Sequence, residues 1–248
     1  MTEAAIPRLA ATVLLIRDDP FEVLMVRRSA AGSFPSAMVF PGGTVDASDR
    51  DEAWLPLLDG AEGLDPDERG LRIAALRETF EEVGLFVAID AAGQAASPAA
   101  CEETDFRALV AASNARLPIG SLAHFAQWVT PAISPKRWDT HFFLARAPHG
   151  QIAVCDEHET MAPEWLAPAT ALAMAEAGAR EIVSPTRANL HRLAESDTVD
   201  TAFAAAAARP RFIVHPQVQR RADGMYTVIP AEAGYGFTDM PRNKVSNV

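Results

Sequence analysis

Apolar positions recur along the chain in two rhythms: short runs or alternation, and spacings of three to four. These set out its elements. Residues 10–16 and 22–27 are rich in Val, Leu and Ile and are parted by the turn-forming Asp18-Asp19-Pro20, which predicts a β-hairpin. Residues 38–40 form a short apolar run that enters a loop at Pro41-Gly42-Gly43. The stretch 46–70 is acidic and irregular, with a short helix expected around 54–58. Over 71–83, Ile73, Leu76, Phe80 and Val83 return at helical spacing, and Gly84 suits a C-terminal cap. A strand is expected at 85–89, a helix at 104–112, and strands at 124–130 and 140–145 joined by a proline-containing loop. Helices follow at 169–177, 187–194 and 198–207, with Thr186 as an N-cap, and 211–214 and 225–229 could pair as a late hairpin. Strands and helices are interspersed without a regular βαβ series. The expected fold class is therefore mixed α/β, as one domain over residues 1–248.

Composition narrows the function. Of 248 residues 49% are hydrophobic, enough for a packed core and too many for a disordered acidic chain. The net charge of -11, from 22 Lys and Arg against 33 Asp and Glu, argues against a nucleic-acid polymer or an anionic membrane as partner. An anionic substrate would then need a cation as mediator. Cys101 and Cys155 form no CxxC pair and read as reduced thiols, the apolar run 9–16 is too short to span a bilayer, and the expected location is the cytoplasm.

One segment carries chemistry. Glu78 and Glu82 are four residues apart and Glu78 and Glu81 three, which puts all of them on one helical face. They repel one another, and the negative end of the helix dipole disfavours them further. A hard cation such as Mg²⁺ or Mn²⁺ would reverse that penalty. A merely solvated acidic face is the alternative. Gly42 and Gly43 permit a positive φ or the close approach of a ligand, or else form an ordinary turn. Arg27 and Arg28 at a strand end, and Arg137, carry guanidinium groups that fit phosphate.

The segment Arg77-Glu78-Thr79-Phe80-Glu81-Glu82-Val83-Gly84-Leu85 resembles the signature helix of the Nudix hydrolases, with Thr79 where the family has an aliphatic residue. Phe40-Pro41-Gly42-Gly43 is similar to the strand and loop that precede it. Gly43 and Arg77 stand 34 positions apart, roughly twenty more than the family box allows, so residues 44–70 read as an insertion. Asp46 and Asp49 are the candidates for the first acid of the box. A split box of this kind resembles the subgroup of peroxisomal coenzyme A diphosphatases. So do Arg27-Arg28-Ser29 before it and the stretch from Arg137 to Phe143 after it.

The resemblance covers about residues 8–195 and leaves 196–248 as a helical C-terminal extension. It implies a mixed sheet between helices. It also implies Mg²⁺ or Mn²⁺ on Glu78, Glu81 and Glu82 with the Gly42 carbonyl, and a supporting role for Arg77. Glu78 or Glu159 would be the general base, with Glu157 next. Gly43 with the three arginines would meet a small-molecule diphosphate. The implied reaction is hydrolysis of coenzyme A or acyl-CoA to 3′,5′-ADP and (acyl)phosphopantetheine. Another nucleotide diphosphate, or a non-catalytic nucleotide sensor, are the alternatives. Homodimers are common in the family, and the C-terminal segment could supply an interface. No dinucleotide fingerprint, Walker loop, nucleophile elbow or zinc-protease motif is present.

Overall fold

A computed structural model describes residues 5–28, 36–100, 105–155 and 160–242. Its spine is β1 (Arg8–Arg17), whose alternating residues enter two different cores. Ala11, Val13 and Leu15 face one, and Leu14 and Ile16 the other. The hairpin partner β2 (Glu22–Arg28) meets β1 only at its start, Ile16 against Val23 and Arg17 against Glu22. β2 then diverges to pair with β3 (Met38–Val39), and the vacated edge of β1 is taken by β4 (Gly42–Thr44). The other edge of β1 runs parallel to β6 (Trp138–Arg146), which pairs antiparallel with β5 (Ala123–Val129).

Helices cover both faces. On one side lie α1 (Pro66–Val83) and α2 (Phe106–Ala112); on the other lie α3 (Pro168–Glu176), α4 (Ser184–Leu193) and α5 (Val199–Ala208). This is the mixed sheet between helices that the sequence pattern implies. α1 starts earlier than periodicity suggests, because Asp65 accepts the Glu68 N–H as N-cap and Pro66 occupies the first turn. It ends at Gly84, left-handed at φ 66°, as expected.

Several local expectations are corrected. The loop after Phe40 includes the strand β4. Residues 85–89 form no strand beyond single bridges at Ile89. The buried Phe86 backbone is instead satisfied by Gln151, which accepts from its N–H at 2.8 Å and donates to its carbonyl at 3.0 Å. β7 (Thr160–Leu166) joins the outer edge of β2 despite Pro163, with its register shifted where Ala162 takes φ 49°. The late hairpin does not form. β8 (Ile213–Val214) pairs parallel with β5, whereas β10 (Gly224–Val228) joins a separate sheet between β9 (Gln217–Arg221) and β11 (Asp239–Pro241). Thr186 is buried inside α4, whose N-cap position is Val183 without a side-chain bond. Among the described residues no helix is long and apolar enough to cross a membrane.

Candidate active site

The glycine loop is fixed by its pairing with β1. Gly42 lies opposite Thr12 with φ 151°, and a Cβ there would overlap the Ala11 carbonyl oxygen and Thr12 Cα. Only glycine fits. Its N–H donates to Glu82 Oε2 at 3.1 Å, and Glu82 is buried. At Gly43 the space of a Cβ is taken by the carboxyl group of Glu78. Glu78 and Glu82, one turn apart on α1, therefore both face the loop. The third acid, Glu81, is the more exposed, its side chain 48% accessible, and it shares one Arg77 nitrogen with Glu78. Thr79 occupies the apolar position of the box, fully buried, with its hydroxyl donating to the Ala75 carbonyl at 2.7 Å. That bond satisfies the hydroxyl and permits the departure from an aliphatic residue.

Arg77 ties these groups together. Its Nε and Nη2 donate to the two oxygens of Asp49, each at 3.0 Å, and Nη2 also reaches the Thr44 carbonyl at 3.1 Å. Nη1 donates to Glu78 and Glu81, each at 2.8 Å. Burial works against charge on Arg77. The hydrogen bonds to Asp49 and the fields of Glu78, Asp49 and Glu81 outweigh it and raise the pKa above the usual guanidinium value. The fork-to-fork pair with Asp49, itself only 1% exposed, is the strong form of such a contact.

Asp49 thus fills the place of the first box acid, six positions after Gly43, and Asp46 is left exposed. The insertion enters the chain after Asp49 and does not displace it. A 3-10 turn, Ala47–Arg50, carries it, and the Asp46 N–H donates to Asp49 Oδ2 at 2.8 Å. The remainder of the insertion packs beside the site. Trp54, on a second 3-10 segment (Glu52–Leu57), donates from Nε1 to the Ser48 carbonyl at 3.0 Å. Its ring centre lies 6.0 Å from that of Phe106, which also meets Phe80 and Phe86. Between the insertion, Arg77 and Glu81 of α1, and Phe106 and Arg107 of α2, an open cleft of about 260 Å³ remains. The sequence predicts a helix at 104–112 but carries no local signal that it walls the site.

The donor set is all oxygen and suits a hard divalent cation. In the arrangement seen, Arg77 engages Glu78 and Glu81. Among the described residues no three Asp, Glu, His or Cys side chains are gathered as a ligand group. The expected set is therefore not preassembled. Glu81 would have to leave Arg77 to join it, and its half exposure allows that.

The remaining candidates are scattered. Arg27 and Arg28 end β2, half-buried, and strand alternation puts Arg28 on the α1 side with Leu24 and Val26. Among the described residues neither has an ion-pair partner. The Arg137 guanidinium is spent on the backbone carbonyls of Thr130, at 3.0 Å, and Ala5, at 2.7 Å, where it clasps the β5–β6 connection to the entry of β1. Glu157, His158 and Glu159 lie outside the described residues. The chain leading to them passes the end of α1, where the Val154 N–H donates to the Val83 carbonyl at 2.9 Å.

Fold and site define an α/β protein in which an acidic helix is locked by one arginine against a glycine loop. The chain belongs to the NUDIX domain family, whose model matches residues 6–184. An acyl-coenzyme A diphosphatase of Gallus gallus is 31% identical, with 66% of this chain and 62% of that protein covered. One of Xenopus laevis is 26% identical, with 61% and 54% covered. The chain thus spans less than two thirds of the length of these relatives. The crystal structure of a NUDIX hydrolase from Alicyclobacillus acidocaldarius superposes with a TM-score of 0.71 at 31% identity, over 81% of this chain and 96% of that one.

Proposed function

We propose that the protein hydrolyses the diphosphate of coenzyme A or an acyl-CoA, with Mg²⁺ or Mn²⁺, to 3′,5′-ADP and (acyl)phosphopantetheine. The observation that carries this is the Arg77 network, which sets Glu78 against Gly43 while Glu82 holds the Gly42 N–H. Glu78, Glu81 and Glu82 with the Gly42 carbonyl would hold the cation, which supplies charge neutralisation and a more acidic bound water. Gly42 and Gly43 let β1 and the Glu78 carboxyl close onto the loop, and Arg28 offers guanidinium donors to the diphosphate oxygens. Glu78, or an acid of the 156–159 segment, takes the proton from the attacking water. The substrate class is supported by the names of the relatives and by the cleft beside the insertion, which extends the site beyond the diphosphate.

The test is a panel of CoA, acetyl-CoA, ADP-ribose, a sugar nucleotide and a dinucleotide with each metal, products resolved by chromatography. Turnover of the CoA compounds with release of 3′,5′-ADP is the expected result. Inert CoA beside a hydrolysed sugar nucleotide or dinucleotide would refute the substrate, and no hydrolysis of any compound would refute the enzyme.

A further inference from the structure

A second cavity, of about 100 Å³, lies at the sheet edge where β5 meets β8. It is well above the roughly 10–15 Å³ that one water needs. Its apolar wall, including Phe125, Ala206 and Val214, belongs to the core on the face of the sheet away from α1. The cavity opens at the edge of the sheet, by the first turn of α1, where Arg211 meets Glu68.

Its polar wall holds three cations, Arg192 from α4 and Arg209 and Arg211 after α5, beside His124 of β5, which burial keeps neutral, with Glu232 as the acid. Arg192 is 7% exposed. Its Nη2 donates to the Ala233 carbonyl at 2.6 Å, Nη1 reaches the Phe125 carbonyl at 3.4 Å, and the guanidinium lies 3.5 Å over the Tyr235 ring. Its Nε is buried without a partner, and among the described residues no carboxylate pairs with it. Burial disfavours its charge, the field of Glu195 offsets this only in part, and an anion that reaches the guanidinium would relieve the remainder. Its two neighbours are differently placed. Arg209 pairs with Glu195, and Arg211, 65% exposed, stands 3.7 Å from Glu68, a contact it can exchange for another anion.

We propose that this cavity binds a small oxyanion of the phosphate class, between Arg192 on the inside and Arg209 and Arg211 at the mouth. Glu68 at its mouth and Glu78 stand ten positions apart on α1, so the site is separate from the hydrolytic one and does not depend on that reading. Glu232 is its competitor at the rim.

Calorimetric titration of the full chain with inorganic phosphate tests this, with chelator present and ionic strength held constant with chloride. One saturable site is expected. The exchange Arg211→Gln, and the pair Arg209→Gln with Arg211→Gln, should each weaken it about tenfold or more. Glu232→Gln should tighten it, and Glu78→Gln should leave it unchanged. Arg211 is exposed, so its variant carries the test even if Arg192→Met fails to fold. Absence of saturable binding, equal binding by the arginine variants, or loss in Glu78→Gln would each overturn the proposal.

Discussion

Arg77 spends its donors on Asp49, Thr44, Glu78 and Glu81, so the position of two box carboxylates depends on one buried pair. Asp49→Asn should cost about 3 kcal/mol of stability, as the loss of one partner of a buried pair does. Urea denaturation measures it, and a change no larger than that of an exposed pair would show that Asp49 is not structural. Gly43→Ala drives a methyl group into the Glu78 carboxyl. Turnover should fall about a hundredfold from that displacement, with the circular dichroism spectrum unchanged. Glu82→Gln keeps an acceptor for the Gly42 N–H but loses a charge. Metal-dependent turnover should disappear while the melting temperature stays within a few degrees, and wild-type activity would remove Glu82 from the metal assignment. The Arg77, Glu78, Glu81 and Glu82 cluster was legible because helical spacing is local. Asp49 was left beside Asp46 because 28 positions separate it from Arg77, and only folding of the 3-10 turn chooses between them.

The body of α1 and its Gly84 cap could be read from local spacing, whereas the first turn, set by Asp65 and Pro66, was not. Strands were less legible because their partners are remote. β4 exists because β2 leaves the β1 edge open, and β8 joins β5 across more than eighty residues of sequence. The segment 85–89 has a strand's composition, but Phe86 bonds the Gln151 side chain and, among the described residues, only Ala88 and Ile89 find backbone partners outside it. Gln151→Ala would strand the Phe86 N–H, in a fully buried residue whose carbonyl keeps the Ala88 N–H, and should cost about 2 kcal/mol. A loss within experimental error would mean that water replaces the amide.

At the scale of the whole molecule, acidity and burial both set conditions. His124 is held down to about 4 by burial first, then by Arg211 and His141, and burial lowers His141 too. The unfolded chain takes up protons near pH 6.5 while the folded one does not until about 4, so acidification favours unfolding. Stability should be intact above about pH 6.5 and decline toward 4 by roughly 3 kcal/mol for His124. Denaturation midpoints at neutral and acid pH measure this, and His124→Asn should flatten the slope. Increasing stability on acidification would contradict the burial argument. The net charge of -11 adds a second condition. Metal removal should weaken CoA binding as well as abolish turnover, because uncompensated carboxylates then face the diphosphate; equally tight binding in chelator would refute it.

By itself the sequence determined the carboxylate helix, its C-terminal cap, the hairpin and the glycine pair, because each depends on neighbours within a turn or two of chain. Tertiary structure alone decided which aspartate holds Arg77, that Glu81 stays half-exposed while Glu78 and Glu82 face the glycine loop, and that Arg137 clasps backbone. It also brought Arg192, Arg209 and Arg211 around one cavity. Those outcomes depend on which distant segments the sheet and its two helical layers bring within hydrogen-bonding reach, and short-range periodicity carries no such information.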